Sequence, residues 1–334
     1  MIAYEIRDSF GLENLTRVER ETPEPGHGEV RVRMRAVSLN FRDILMIRGH
    51  YNPRQPLPLI PCSDGAGVVE AVGPGVTKWA VGDRVCGLFA QDWIGGDPTK
   101  DKIRTTLGGP LDGTLCTQRV FPEHGLIAAP NHLSDEEAAT LPCAALTAWS
   151  SLVTYGDVLA GQTVLVLGTG GVSIFALQLA KAMGARVVVT SSSDDKLEQA
   201  RALGADALVN YKTHSEWHKE VVAQVGPVDH VVEVGGAGTF DRSVRAVKVG
   251  GTVSLIGVLA GPREVNLTRV LMQNIRVQGI LVGHGDGFAA MNRALAAHDI
   301  HPVVDRVFGF DEAVDAIEYV AAGKHFGKVV VRVD

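Results

Sequence analysis

At 334 residues the chain is long enough for two domains of ~150 residues each. Its make-up, 46% hydrophobic and 21% charged, excludes a disordered polypeptide. A net charge of −6, from 32 basic and 38 acidic residues, leaves no basic footprint for a nucleic-acid partner.

Met1 to Phe10 already contain Glu5, Arg7 and Asp8, so no apolar leader is expected there. Glu29–Arg35 alternates as a half-buried strand does, and Gly65–Val72 reads as a strand with close backbone approaches. Val72–Val76 and Gly82–Val85 are turn clusters, and Gln91–Asp112 is a long loop. Four scattered cysteines, Cys62, Cys86, Cys116 and Cys143, form no CxxC pair and point to a reducing, cytoplasmic setting. Beyond Pro130 the rhythm changes. Ser134-Asp135-Glu136-Glu137 is a helix start with a capping hydroxyl and acids that complement the helix dipole.

Strands and helices then alternate: strand Thr163–Leu167, helix Ser173–Met183, strand Arg186–Thr190, helix Asp195–Leu203. Ala207–Val209, His230–Val234, Thr252–Ile256 and Ile275–Val282 add four further strands. Short apolar runs in this order predict an α/β fold with a doubly wound parallel sheet. The uncharged stretch Val158–Ala180 holds four glycines and switches from strand to helix pattern midway, which argues against a membrane span. After Gly285 come two short helices and a last strand, Lys328–Val333.

The first strand of that sheet runs into Gly168-Thr169-Gly170-Gly171-Val172-Ser173 and then an apolar helix. This is a dinucleotide-binding turn with serine at the third glycine position. Gly168 permits the tight turn, Gly170 lets backbone N–H groups reach a pyrophosphate, and the helix N-terminus supplies partial positive charge at that anion. NAD sites place an acid at the end of the second strand. Here Ser191, Ser192 and Ser193 stand there, with Lys196 following, which suits the 2′-phosphate of NADPH. The same residues also suit a plain helix cap. His214 and His218 stand four apart, but Glu216 is misplaced for a metalloprotease motif, so a solvated helix face is expected.

Several segments, taken together, resemble a known family over essentially the whole chain. They are Ser38-Leu39-Asn40-Phe41-Arg42-Asp43, Pro61–Val69, Val72–Val76, Gly82–Val85, Leu141–Ala148, the glycine turn and His325-Phe326-Gly327-Lys328. The chain resembles the medium-chain dehydrogenase/reductases, in particular their zinc-independent, quinone oxidoreductase-like branch. The resemblance implies a GroES-like, mostly-β catalytic domain from residues 1–128 and 285–334. It implies a Rossmann NADP(H)-binding domain from 129–284. It places Asn40 and Thr147 near the nicotinamide and its ribose, Gly170, Gly171 and Val172 at the pyrophosphate turn, and Ser191, Lys196 and Tyr211 at the adenosine phosphate. Val234, Gly257, Val282 and Gly283 would line the nicotinamide, and Lys328 would lie near the cofactor.

Zinc-dependent relatives hold their metal with Cys, His and Cys. Here Asn40 and Ser63 fill the first two positions and Cys143 alone remains, so no metal is expected. Leu45 stands where some quinone reductases carry a tyrosine. The reading is an NADPH-dependent oxidoreductase that transfers hydride to a quinone or α,β-unsaturated carbonyl, a small-molecule substrate, without metal. Asn40, Asp43, Arg48 and Tyr51 are its candidate polar groups, although Asp43 and Arg48 equally suit a structural ion pair. A homodimer paired along Ile275–Gly283 is implied by the resemblance. Two alternatives stand beside this: an NAD(P)-dependent alcohol dehydrogenase, and a non-catalytic NADPH sensor or crystallin-like protein.

Overall fold

The computed structural model describes residues 1–257 and 264–333. Two compact units result, one of Met1–Leu146 with Gly283–Asp334 and one of Thr147–Val282. The first passage between them therefore lies at 146/147 and not at 128/129. Segment 129–146 stays with the first unit because Arg84 Nη2 binds Asp135 Oδ1 at 2.7 Å, and the Cys143 N–H donates to Asp64 Oδ2 at 3.1 Å. The return falls at 282/283, two residues before the expected 284/285.

The first unit is built on a mixed sheet around the long strand Glu29–Leu39. Alternation puts Val30, Val32 and Met34 on the buried face of that strand. Asp64–Val72 and Gln118–Pro122 pair with it antiparallel, as does Lys328–Arg332 from the far end of the chain. Val329 lies opposite Leu39, so this register carries Lys328 to the end of the central strand, beside Asn40. Val304–Gly309 adds a parallel strand outside Lys328–Arg332. The sequence reading missed it, since its run of mostly exposed residues, with Asp305 and Arg306 at its start, shows no clean alternation.

In the second unit, six strands form one parallel sheet: β1 (Thr163–Leu167), β2 (Arg186–Ser191), β3 (Ala207–Asn210), β4 (Val228–Glu233), β5 (Val247–Leu255) and β6 (Arg276–Gly279). Their spatial order is 3-2-1-4-5-6, the doubly wound arrangement, with the switch point between β1 and β4. Val164, Leu165, Val187, Val188, Val231 and Val253 are fully buried, as strands covered on both faces require. β6 is shorter than the apolar run suggested and mostly exposed, as befits an edge. Among the described residues no helix is long and apolar enough to cross a membrane.

Candidate active site

In the second unit the glycine turn leaves β1 at Leu167. Gly168 has φ +73°, a left-handed conformation that favours glycine, and its N–H donates to the Thr190 carbonyl at 2.8 Å. A Cβ built on Gly170 would meet nothing within 4 Å, so the space above the turn is open. Helix Gly171–Ala182 starts there with no side-chain cap, leaving its first N–H groups directed at that space. Ser173 is buried, and its hydroxyl donates to the Leu167 carbonyl at 2.7 Å. That bond holds the helix close to the strand, the role the third glycine has in the usual motif.

β2 ends at the buried Ser191, whose carbonyl accepts the Tyr211 N–H at 3.0 Å. Ser193 caps helix Asp194–Ala202 by accepting the Lys196 N–H. Asp194 is engaged by the Asn210 amide at 2.7 Å. Cap and hydroxyl cluster are thus both realised, with Ser192 and Lys196 partly exposed beside them.

A cavity of about 390 Å³ opens at the carboxyl ends of β1, β2 and β4, walled by Gly168, Thr190, Tyr211, Trp217, Val234 and Arg242 among others. This is where doubly wound sheets receive nucleotides, and with the open glycine turn it fits an ADP-containing coenzyme. Further along the strand ends, a Cβ on Gly257 would stand 1.7 Å from the Val234 carbonyl oxygen, so only glycine fits. Val282 holds φ +52°, a strained conformation for a β-branched residue. Thr147 is buried in a short helix flanked by π-helical turns at Leu141–Ala145 and Ser150–Thr154.

In the first unit, Asn40 begins helix Phe41–Ile47, and its N–H donates to Asp43 Oδ2 at 2.8 Å. The Lys328 ammonium, 3% exposed, donates at 2.6 Å to both Asn40 Oδ1 and the Leu39 carbonyl. Ser63 donates its hydroxyl to Asp64 Oδ1 at 2.8 Å. Burial pushes the Asp43 carboxyl up to about 6 and raises Asp64 as well; Arg42 chiefly opposes the first shift and Lys328 the second.

Of the two readings open for Asp43 and Arg48, the structural ion pair does not form. Five residues of helix turn the two side chains to different faces, and Arg48 is exposed. Arg42 faces Asp43 instead, at 3.9 Å, while its guanidinium donates to Leu107 and Gly109 carbonyls and lies over the Tyr51 ring at 5.0 Å. Tyr51 is 44% exposed and belongs to this Arg42 stack. His218 is also corrected: it is buried against Trp217, and burial lowers its pKa, so it is no part of a solvated face.

Models of two families match the chain: the alcohol dehydrogenase GroES-like domain over residues 26–131 and the zinc-binding dehydrogenase over 171–297. A zinc-type alcohol dehydrogenase-like protein of Schizosaccharomyces pombe is 43% identical, over all of this chain and 99% of its own length. The chain belongs to the medium-chain dehydrogenase/reductase superfamily. As a member it is an oxidoreductase with a nucleotide-binding Rossmann unit and a GroES-like unit. An acryloyl-coenzyme A reductase of Metallosphaera sedula is 30% identical over 94% of this chain and 95% of that protein. A solved NAD-dependent alcohol dehydrogenase superposes with TM-score 0.91 at 35% identity, covering all of both chains. A mycobacterial protein solved with NADPH gives TM-score 0.84 at 28% identity, again over all of both chains.

The superfamily's zinc does not suit the residues present. Asn40 Oδ1 is taken by an ammonium, and Ser63 donates to Asp64. Cys143 is left as the one thiol among the three positions, where a catalytic zinc takes three protein ligands. Among the described residues no group of three His, Cys, Asp or Glu side chains is placed to hold a metal. Lys328 and Arg42 belong to the polar cluster of the first unit, and Trp217, Thr239, Arg242 and Glu233 to the cavity region of the second. Of these, sequence reading singled out only Lys328. Arg42 stood inside a quoted motif without being given a role; the others lie outside the motifs, although the acid ending an apolar strand at Glu233 was a signal available beforehand.

Proposed function

We propose that this oxidoreductase uses NADPH to reduce a quinone or an α,β-unsaturated carbonyl without a metal. The observation that carries the reading is the Lys328 ammonium bound to Asn40, with Ser63 spent on Asp64, where zinc-dependent relatives hold their metal. A conjugated acceptor spreads the incoming charge onto its own oxygen, so it needs Lewis-acid help less than an isolated carbonyl does. The acryloyl-coenzyme A reductase named above acts on such an acceptor.

NADPH, when bound, supplies the hydride. The turn Gly168-Gly170-Gly171-Val172 binds the pyrophosphate through backbone N–H groups, and Ser191, Ser192 and Lys196 with Tyr211 receive the 2′-phosphate. Val234, Gly257, Val282, Gly283 and Thr147 shape the nicotinamide end. Asn40, held by Lys328 and Asp43, orients the substrate, and water supplies the proton. We extend the proposal to a cytoplasmic homodimer along β6, where Val277 is exposed and the preceding helix Thr268–Met272 exposes Leu271 and Met272. All four cysteines are free, in keeping with that compartment.

The test is NADPH oxidation over a panel of quinones, enones and aldehydes, with and without chelator, alongside zinc analysis. Chelator-resistant turnover of conjugated acceptors is expected. Stoichiometric zinc whose removal abolishes turnover would establish the alcohol dehydrogenase alternative instead.

A further inference from the structure

We propose that Glu233 sets the shape of the nucleotide cavity and is a positioning residue for the adenosine half of the coenzyme. The inference rests on the reading of that cavity as a nucleotide site. Glu233 is the last residue of β4 and is fully buried. Its Oε1 accepts the N–H groups of Gly235 at 2.8 Å and Gly236 at 3.0 Å, and the Thr239 hydroxyl at 2.5 Å. Its Oε2 accepts the Ser243 hydroxyl. One carboxylate therefore gathers the turn after β4 and the first part of helix Phe240–Ala246 around itself.

That segment is a wall of the cavity: Val234, Gly235, Thr239 and Arg242 all line it, whereas Glu233 and Ser243 do not. Arg242 is the cation on this wall, and its Nη2 stands 3.7 Å from Glu216 Oε1. Only a carboxylate offers acceptors at both ends. An amide keeps one oxygen, and its NH₂ reverses the bond to Ser243, whose hydroxyl proton must then turn away to another acceptor. Glu233→Gln therefore disturbs the turn and the helix start without touching any atom that meets the nucleotide. Acting through its neighbours, Glu233 should affect binding of the adenosine end most and reach the nicotinamide end only through Val234.

The experiment titrates wild type, Glu233→Gln and Ser243→Ala with ADP and, separately, with nicotinamide mononucleotide. Calorimetry gives Kd, and a melting curve is recorded on each protein. The expected result is an ADP Kd raised at least ~10-fold in Glu233→Gln and about threefold in Ser243→Ala, with the mononucleotide Kd changed by less than about threefold. A lower melting temperature with an unchanged ADP Kd would reduce Glu233 to a structural residue and overturn the inference. Equal weakening of both probes would overturn its assignment to the adenosine half. If Glu233→Gln does not fold, Ser243→Ala decides alone, an unchanged ADP Kd counting against the proposal. Wild-type protein that binds no ADP would overturn the nucleotide reading itself, and this inference with it.

Discussion

Replacing Lys328 by methionine keeps most of the side chain's length and apolar bulk but removes its charge. The ammonium makes two hydrogen bonds of 2.6 Å at a site where it is 3% exposed. Bonds from a charged donor contribute ~1.5–3 kcal/mol each, and the variant leaves two acceptors unserved beside the buried carboxyls of Asp43 and Asp64. The expected loss is about 3–5 kcal/mol, confined to the first unit. Two units make a single unfolding free energy ill-defined, so local hydrogen exchange is the suitable assay. Amides of Glu29–Leu39 and Lys328–Arg332 should exchange more than ~100-fold faster at pH 8, while β1 and β4 keep their protection. Adding Asp64→Asn should restore part of the loss by removing one buried negative charge. Exchange within ~5-fold of wild type throughout the first unit would refute the reasoning.

Lys196→Ala should weaken NADPH by about 10- to 150-fold and scarcely change NADH, since one charge-assisted bond contributes ~1.5–3 kcal/mol; equilibrium titration with both coenzymes checks it. Gly257→Ala forces a Cβ onto the Val234 carbonyl and should destabilise the second unit by at least ~2 kcal/mol, read as earlier melting of that unit. His230, wedged between the Ser254 and Ser151 hydroxyls, has its pKa lowered by burial to about 4. Above pH 6.5 both folded and unfolded forms are neutral and stability is full. As pH falls towards 4 only the unfolded form gains the proton, so ~3 kcal/mol is lost. In His230→Gln the second unit should lose that much less over the same interval, measured by urea unfolding at stepped pH.

The parallel sheet was legible because each of its strands is a short apolar run bounded by turns, and β1 appears in the structure with the bounds its sequence suggests. The glycine turn was legible for the same local reason: strand, turn and helix are contiguous in the chain. Lys328 was placed only through family resemblance. Its contact with Asn40 spans 288 residues and follows from one strand register that no local pattern specifies. Arg42 was passed over for Arg48 because both suit a partner for Asp43 on paper, and only helix rotation and the Leu107 and Gly109 carbonyls decide between them. The early boundary at 128 failed because Ser134–Glu137 starts a helix, which reads as the onset of the α/β unit. In the structure, that helix is anchored to the mixed sheet by Arg84.

A metal centre has empty orbitals, and any anion or lone pair of the right size competes for them. The Lys328 ammonium has none. It can only donate hydrogen bonds, and two of these already go to Asn40 and Leu39. Small anions and thiols, which bind a metal by joining its coordination sphere, would find no comparable foothold at this position. Its positive charge is encoded in the polypeptide itself and does not vary with the cell's supply of metal.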